Sequence, residues 1–435
     1  MFKFKQLIAI VFFLLVVSFS MTVFTATVAA NQEDDYKNLE IFTDVISLVR
    51  SHYVEEIDME KLIYGAIRGM LSTLDPHSSF LTPEMYEEMQ ADTHGEFGGL
   101  GIEITVKDGE LIIVSPIEDT PAYIAGVKPG DKIIKINGQP TRDIGVMEAV
   151  RLMRGPKGEA ITISIQRFAA TKLQDFTIIR DIIKIKSVKS NLLQGRYGYV
   201  RIAQFQDRTS SDLKEHLLEL RQDNDGRLDG VILDLRNNPG GLLNQAVAVT
   251  DLFLEEGLIV YTEGRDVESK MTFSAQQIGT EPEYPLVVLI NGGSASAAEI
   301  VAGALQDHGR AIILGEQSFG KGSVQTIIPL GDKSGLRLTT ARYFTPSGRS
   351  IQARGISPDI VVSAILTTGQ NMPDLPVREE DLEHHFKPLS EEQPEQQKRT
   401  TTELSQEEKQ DNQLRRALDL LKGINILKHG HKQAA

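Results

Sequence analysis

The stretch NGGSASAAEIVAGALQDHGRAIILGEQSFGKGSVQT, residues 291–326, decides the fold, because loops, a helix and strands alternate within it. Its segment SAAEIVAGALQDH predicts a helix, and the following AIILGE predicts a strand. The preceding chain alternates in the same way, with GVILDLR and LVVLIN as strands and LLNQAVAVTDLFL as the helix between them. Such alternation predicts right-handed crossovers and a mostly parallel sheet with helices on its faces. Residues 180–365 are therefore predicted to form an α/β core.

Three loops of this core are predicted to lie on one rim, because functional loops follow the carboxyl ends of parallel strands. They are RNNPGG at 236–241, NGGSAS at 291–296 and GEQSFGKG at 315–322. Ser294 and Ser296 stand just before a helix, where the first amides are free and the helix dipole is positive. A serine hydroxyl there can attack a carbonyl carbon while the next amide stabilises the oxyanion. Either serine could instead only cap the helix.

The lysine of the third loop, Lys321, has two interpretations. The spacing from Gly315 to Lys321 matches most of a phosphate-binding loop, but Gly322 stands where that loop needs Ser or Thr. A phosphate loop also opens a helix, whereas SVQTIIPL predicts a strand. The other interpretation is a general base for the serine, which requires burial to lower the lysine pKa. His308 is a competing base, although DHG is typical of a helix end capped at Gly309.

The composition excludes several classes of function. A formal charge of −14 over 435 residues argues against binding to nucleic acid. There is no cysteine, so neither disulfides nor a thiol nucleophile is available. The nine histidines show no metal-ligand spacing. We therefore expect no metal and no cofactor.

The two ends of the chain differ from the middle. Residues 1–30 carry Lys3 and Lys5 before a long uncharged run, which predicts an export signal that is either cleaved or kept as an anchor. Residues 32–92 have helical apolar spacing. Residues 366–404 predict an acidic polar linker. Residues 405–435 predict a helix that packs on its own protein or on a partner, including another copy of the chain.

Residues 95–170 predict a compact β-rich module inserted between the helical region and the core. GIEITV, ELIIVSPI, DKIIKING and AITISIQR predict strands, and VMEAVRLMR predicts one short helix. At the start of the module, Gly98, Gly99 and Gly101 in FGGLGIEI allow successive amides to face one concavity. That concavity could hold a peptide carboxylate, and a simple β-turn is the alternative interpretation.

Residues 291–326, together with LDLRNNPGG and TPSGRSIQARGISPDI, strongly resemble the carboxyl-terminal processing peptidases, which are exported serine endopeptidases. The likeness spans about Asn38 to Val362 and includes PAYIAGVKPGDKIIKINGQP, which resembles a PDZ domain. The resemblance implies a ClpP/crotonase-like core with an inserted PDZ domain. It also implies that Ser296 is the nucleophile, Lys321 the general base and Gln325 the residue that orients the lysine.

The remaining site residues are also implied by the resemblance. The oxyanion hole would combine the amide of Ala297 with one from Gly240 or Gly241. In the PDZ domain, Leu100, Gly101 and Ile102 would present amides to the carboxylate of the substrate. Arg154 stands where we expect a basic residue that links the PDZ domain to the core.

The predicted function is that of an ATP-independent serine endopeptidase that cleaves exported proteins with flexible or exposed C-terminal ends. Its location would be the bacterial periplasm or the outer face of the inner membrane. The resemblance implies envelope proteins, including cell-wall hydrolases, as substrates, assembly into a homo-oligomer, and a lipoprotein adaptor with helical repeats. The alternatives are a non-catalytic PDZ scaffold that only binds peptides and a nucleotide-binding protein.

Overall fold

The computed structural model describes residues 36–107, 109–142, 144–167, 172–276, 279–365, 378–387 and 411–433. The chain divides into two compact units, Met1–Met70 and Leu71–Ala435. The first contains helix α1 at 36–52 and most of helix α2, Met59–Ser72. Asp58 starts α2, because its carboxylate accepts the amide of Glu60 at 3.0 Å. The predicted export signal lies outside the described residues, and none of the described helices is long and apolar enough to cross a membrane.

The second unit begins with strand β1 (Ser79–Leu81) and helix α3 (Pro83–His94), which precede the inserted module. The elements of the module are β2 (Glu96–Gly99), β3 (Ile102–Lys107), β4 (Glu110–Pro116), α4 (Pro121–Ile124), β5 (Lys132–Ile136), β6 (Gln139–Pro140), α5 (Val146–Met153), β7 (Ala160–Gln166), β8 (Gln174–Ile179) and β9 (Asp181–Lys184). β2 pairs with β9, so the entrance and the exit of the module lie side by side. The other strands form an antiparallel sheet in the order β3-β4-β5-β7-β8, with β6 paired to β5.

The rest of this unit contains the predicted core strands and helices, with further strands between and after them. Its elements are β10 (Val188–Leu193), β11 (Tyr197–Ile202), α6 (Thr209–Gln222), β12 (Gly230–Asp234), α7 (Leu243–Asp251), β13 (Leu258–Gly264), β14 (Met271–Ser274), β15 (Leu286–Ile290), α8 (Ala297–Asp307), β16 (Ile312–Gly315), β17 (Ser323–Pro329), β18 (Gly335–Phe344), β19 (Ile360–Val361) and α9 (Asn412–Gln433). The core sheet has the order β10-β11-β12-β15-β16-β19.

Both faces of the core sheet are covered, which explains its long apolar runs. β12 and β15 read GVILD and LVVLI, and every residue of both strands is buried. Successive side chains point to opposite faces. Val231 and Val288 belong to the cluster formed with α6, α7 and α8, whereas Ile232 and Val287 belong to the cluster that contains Leu421 of α9. The C-terminal helix therefore packs on its own chain through its leucine stripe.

The prediction of a mostly parallel architecture is not confirmed, because the strand pairings of the described residues are largely antiparallel. Within the core sheet, β11, β12, β15, β16 and β19 are joined by parallel pairings, and β10 is antiparallel. A second sheet, in the order β1-β18-β13-β14 with β17 on β18, is antiparallel throughout. The difference arises because the β17–β18 hairpin and the module join neighbouring strands by short turns, which require antiparallel pairing.

One segment differs from the predicted polar linker at 366–404. Residues 378–387 contain a short 3-10 turn, Glu379–Asp381, and the side chain of Glu379 is fully buried. The rest of the predicted linker lies outside the described residues.

Candidate active site

The three predicted loops follow β12, β15 and β16, which are neighbouring parallel strands, so they lie on the same edge of the core sheet. Two of the loops are joined by a pair of asparagine contacts. The amide N–H of Asn237 donates to Oδ1 of Asn291 at 2.9 Å, and Nδ2 of Asn291 donates to Oδ1 of Asn237 at 2.9 Å. The loop at 236–241, called the glycine-rich loop below, is therefore fixed against the serine loop at 291–296.

The two serines of the second loop have different environments. Ser294 is fully buried, and its hydroxyl donates to the carbonyl of Leu235 at 2.8 Å. Ser296 is half-buried and precedes α8 with φ 55° and ψ −113°. A positive φ is costly for a residue with a Cβ and is found mainly where function demands it. Ser294 thus stabilises the loop, whereas Ser296 is the less buried of the two serines and has a positive φ.

Glu299, in the first turn of α8, connects the serine loop to the lysine loop. Its side chain is completely buried. Oε2 accepts the backbone amides of Ser296 at 2.7 Å and Lys321 at 3.0 Å. Oε1 accepts the hydroxyl of Ser318 at 2.5 Å and the amide of Gly320 at 2.7 Å. Burial raises the pKa of Glu299 to about 7, against the effect of these four hydrogen bonds, which favour the charged form.

Lys321 is half-buried on the same edge. Burial lowers its pKa, and the positive charge of Arg337 lowers it further, while nearby carboxylates oppose the shift. The phenol of Tyr343 donates to the backbone carbonyl of Lys321 and also hydrogen-bonds the side chain of Ser296. Burial raises the pKa of Tyr343 well above its ordinary value, so it stays a neutral donor. Tyr343 therefore brings the serine and the lysine loop together.

The competing base lies at the other end of α8. His308 follows the last residue of this 11-residue helix, whereas Ser296 precedes the first. A helix of that length spans about 16 Å. The ring of His308 is held by the carbonyl of Leu258, with Nε2 at 2.7 Å from the oxygen. His308 therefore cannot accept a proton from Ser296.

The backbone of Gly240 lies close to Ser296 and to the amide of Ala297. A Cβ placed on Gly240 would lie 2.8 Å from Cβ of Ser296 and 3.1 Å from the amide nitrogen of Ala297, so only glycine fits there. The amide of Gly240 already donates to Oδ1 of Asn238 at 2.8 Å. No described group accepts the amide of Gly241. Of the two glycines, Gly241 thus has the available donor.

The side chain of Gln325 does not hydrogen-bond Lys321 within the described residues. Its Nε2 donates to the hydroxyl of Ser323 at 2.9 Å and to the carbonyl of the same residue at 3.3 Å. The register of β17 against β18 shifts between Val324 and Gln325. This irregularity interrupts the simple alternation of side chains along β17.

The residues predicted to bind a substrate carboxylate lie at the start of β3 in the inserted module. Gly101 has φ 76°, and a Cβ at this position would lie 2.3 Å from Cβ of Thr120, so the loop requires glycine. Leu100 is buried, and Ile102 is half-buried at the start of β3. The three residues therefore line the beginning of an edge strand, beside a turn that only glycine can make.

Arg154, at the end of α5, links the module to α3 rather than directly to the core sheet. Its Nη1 donates to Oε1 of Glu88 at 3.3 Å, its Nη2 lies 3.8 Å from Oδ1 of Asp92, and its guanidinium lies 4.6 Å from the ring centroid of Phe97. The carbonyl of Asp92 in turn accepts Nε2 of Gln206 at 3.0 Å. α3 therefore contacts the module through Arg154 and the segment after β11 through Gln206.

Two residues of this site were missed by the sequence reasoning. Glu299 could have been found, because Ser296-Ala-Ala-Glu299 has the spacing of a capping box. No local sequence pattern identifies Tyr343, because its role depends on how β18 packs. Among the described residues, no group of three or more His, Asp or Glu side chains could hold a metal ion.

Three family models match parts of the chain. Residues 196–362 match the model of peptidase family S41, residues 112–167 match a PDZ domain, and residues 19–85 match the N-terminal domain of the activating protease CtpB. The chain is 51% identical over 372 residues to the carboxy-terminal-processing protease of Bartonella bacilliformis, which covers 85% of this chain and 86% of the relative. It therefore belongs to the carboxy-terminal processing proteases of family S41 and is a serine-type peptidase.

A second relative supports this assignment. The chain is 36% identical to carboxy-terminal processing protease CtpB of Bacillus subtilis over 342 residues, 78% of this chain and 70% of the relative. A solved structure of a photosystem II D1 C-terminal processing protease is 30% identical and covers 74% of this chain and 86% of its own, with a TM-score of 0.45.

Proposed function

We propose that the protein is an ATP-independent endopeptidase in which Ser296 is the nucleophile and Lys321 the general base. The observation that carries this proposal is the carboxylate of Glu299, which accepts the backbone amides of both residues. One buried group thus sets the spacing between the two loops. The strained backbone of Ser296 and the lowered pKa of Lys321 support the same assignment.

In the proposed reaction, neutral Lys321 removes the proton from Ser296 as its oxygen attacks the carbonyl carbon of the substrate. The protonated lysine then donates this proton to the leaving amine, and an acyl-enzyme remains. Water, activated by the same lysine, hydrolyses the ester and restores the serine. The low dielectric around Lys321 favours its neutral form before the attack, and this is the condition that a lysine base requires.

The oxyanion formed on attack would be stabilised by the amides of Ala297 and Gly241. Ala297 is the first residue of α8, where the helix dipole adds positive potential. Gly241 is chosen over Gly240 because the amide of Gly240 is already bonded to Asn238. Gln325 would orient Lys321 only after its amide leaves Ser323, so its role is proposed for the substrate-bound enzyme.

We assign recognition of the substrate C-terminus to the PDZ domain, with Leu100, Gly101 and Ile102 at the carboxylate. Arg154 would couple this domain to the core through α3. The contact between Asp92 and Gln206 supports the coupling, because Phe205, the residue before Gln206, pairs with Gly241. A peptide that moves the PDZ domain could thus alter the glycine-rich loop.

The remaining proposals concern cellular context. The apolar run at 7–30 supports export to the periplasm or to the outer face of the inner membrane. We propose exported polypeptides with flexible C-terminal ends as substrates, envelope proteins and cell-wall hydrolases among them. A homo-oligomer and a helical-repeat lipoprotein adaptor are proposed as partners.

The parallel pairings of the core sheet support a ClpP/crotonase-like core.

The experiment that tests the proposed dyad compares the chain lacking residues 1–30 with its Ser296→Ala and Lys321→Ala variants. Each is incubated with an unfolded protein without nucleotide, and fragments are followed by mass spectrometry. We expect only the parent to cleave. Cleavage by Lys321→Ala would refute the lysine base, and cleavage by Ser296→Ala would refute the nucleophile.

A further inference from the structure

Glu379 is a fully buried carboxylate outside the regions that the family models match, and the proposed reaction gives it no role. Its two oxygens both lie 2.8 Å from Nε2 of His77, whose side chain is 13% exposed. Oε1 also accepts Nε2 of Gln352 at 2.8 Å. The contact between His77 and Glu379 joins positions 302 residues apart. The beginning of the second unit and the turn at Glu379 therefore meet at a buried hydrogen-bonded contact.

The contact between His77 and Glu379 is linked to residues before and after Lys321 in the sequence. The backbone amide of Glu379 donates to the carbonyl of Phe319 at 3.3 Å. Gln352, held by Glu379, accepts the amide of Gly322 through Oε1 at 2.9 Å. The residue two places before the lysine and the residue directly after it are thus both held by the turn at Glu379.

The histidine side of the pair is equally fixed. Oδ1 of Asp75 accepts the amides of His77 and Ser78, both at 2.8 Å. The carbonyl of His77 accepts Nε of Arg337 at 3.0 Å. The partner of Glu379 is therefore held in place by two further charged groups, one before β1 and one on β18.

A buried carboxylate is a poor source of stability, because its desolvation offsets most of the gain from its hydrogen bonds. Apolar residues of similar size would fill the same space at less cost. What the pair supplies here is direction, since a carboxylate accepts hydrogen bonds only where donors meet its lone pairs. The chain thus uses a costly contact at the point where its lysine must be placed accurately.

We propose that Glu379 is a positioning residue for Lys321, with His77 as its hydrogen-bond partner and Gln352 as the link to the lysine loop. The inference rests on the proposed function, because it assumes that Lys321 is the base. It also extends the working active site beyond the matched peptidase region, into the turn Glu379–Asp381. Glu379 acts through Phe319 and Gly322 and does not itself contact the substrate.

The first test is the variant Glu379→Gln in the chain lacking residues 1–30, which keeps the size of the side chain and removes its charge. The matched control is Glu380→Gln, because Glu380 is the next residue of the same turn and its carboxylate is exposed. We expect kcat of the folded fraction to fall about 10- to 100-fold in Glu379→Gln, since small misplacements of a catalytic group have such effects. KM should change less than about twofold, because the PDZ domain is untouched. The control should match the parent.

The second test does not depend on activity. Amide hydrogen exchange is followed in a peptide that covers residues 317–324, with a peptide from α7 as the internal reference. We expect exchange in the lysine loop to accelerate about tenfold in Glu379→Gln, because the acceptor of the Gly322 amide is no longer held. Exchange in α7 should be unchanged.

The two tests separate the possible failures. Unchanged exchange together with unchanged kcat would overturn the positioning role. Faster exchange across the whole core would also overturn it, because the effect would then be general destabilisation. If exchange rises only in the lysine loop while Lys321→Ala remains active, the lysine base has failed and the structural role of Glu379 stands.

Discussion

Oε2 of Glu299 accepts the backbone amide of Lys321 at 3.0 Å. The same oxygen accepts the amide of Ser296 at 2.7 Å, so the two proposed catalytic residues share one acceptor atom. Because a carboxylate oxygen carries two lone pairs, it can serve both amides at once, and the other oxygen remains for Ser318 and Gly320. Removal of the charge at Glu299 should therefore disturb both loops together.

Glu299→Gln is expected to lower kcat about 100-fold, because an amide group must point its NH2 at two of the four donors. The measurement is steady-state cleavage of an unfolded protein, normalised to the folded fraction. Glu316→Gln is the control, since Glu316 lies in the lysine loop that Glu299 anchors and its side chain forms no hydrogen bond or ion pair within the described residues. A kcat for Glu299→Gln within about twofold of the parent would contradict the shared-acceptor argument.

The pH dependence of cleavage should follow Lys321 and, near pH 7, Glu299, whose charge holds both loops and whose pKa burial raises to about 7. The base must be neutral, so kcat/KM should be low at acid pH and rise until the lysine is deprotonated. Burial, followed by the charge of Arg337, lowers the pKa of Lys321, so the midpoint should lie below that of an ordinary lysine. Arg337→Gln removes one lowering effect and should move the midpoint to higher pH, whereas Arg342→Gln on the same strand should not. A shift to lower pH would show that the sign of this argument is wrong.

A second anchor holds the glycine-rich loop. Nη1 and Nη2 of Arg236 donate to the two carboxylate oxygens of Asp411, both at 2.7 Å. Asp411→Asn should lower the free energy of unfolding by about 1 kcal/mol, a modest value because Asp411 is partly exposed. Denaturant unfolding measures the loss. Asp419→Asn, on the exposed side of α9, is the control.

The effect of Asp411→Asn should depend on pH. Burial raises the pKa of Asp411, but the hydrogen bonds from Arg236 and the amide of Leu414 outweigh it, so the pKa is below its ordinary value. A depressed carboxylate pKa contributes stability above the unfolded-state pKa, and this is lost as the pH falls through the folded-state pKa. The difference between the parent and Asp411→Asn should therefore be largest at neutral pH and vanish in acid. A difference that grew on acidification would contradict the ion pair.

Gly101→Ala should weaken binding of peptides by the PDZ domain. The added methyl group would meet the side chain of Thr120, and φ is positive at this position. We expect the Kd of a fluorescent peptide with a free C-terminal carboxylate to rise about tenfold or more. Gly109→Ala, where an added Cβ meets no atom within 4 Å although φ is also positive, is the matched control. The same loss in both variants would show that backbone strain alone is responsible.

Arg154→Ala should reduce cleavage of long substrates that carry a C-terminal carboxylate more than cleavage of short internal peptides. A double-mutant cycle with Glu88→Ala should give a coupling of about 0.5 to 1 kcal/mol in kcat/KM, because the two side chains are in contact. Additive effects would mean that Arg154 does not act through α3.

Much of the core could be predicted from sequence, because local patterns determine it. The apolar runs of β12 and β15 and the helix after Ser296 are visible in a short window. Contacts between distant segments are not visible in such a window. No residue near His77 in the sequence indicates that its partner is Glu379. The antiparallel second sheet was missed for the same reason, since β1 pairs with β18 across most of the chain.

The contact between Arg236 and Asp411 ties the loop proposed to hold the oxyanion to a residue 175 positions later in the sequence. The order of this loop therefore depends on a segment beyond the matched peptidase region at 196–362. A change in the segment that carries α9 can thus alter the geometry of the loop without contacting it.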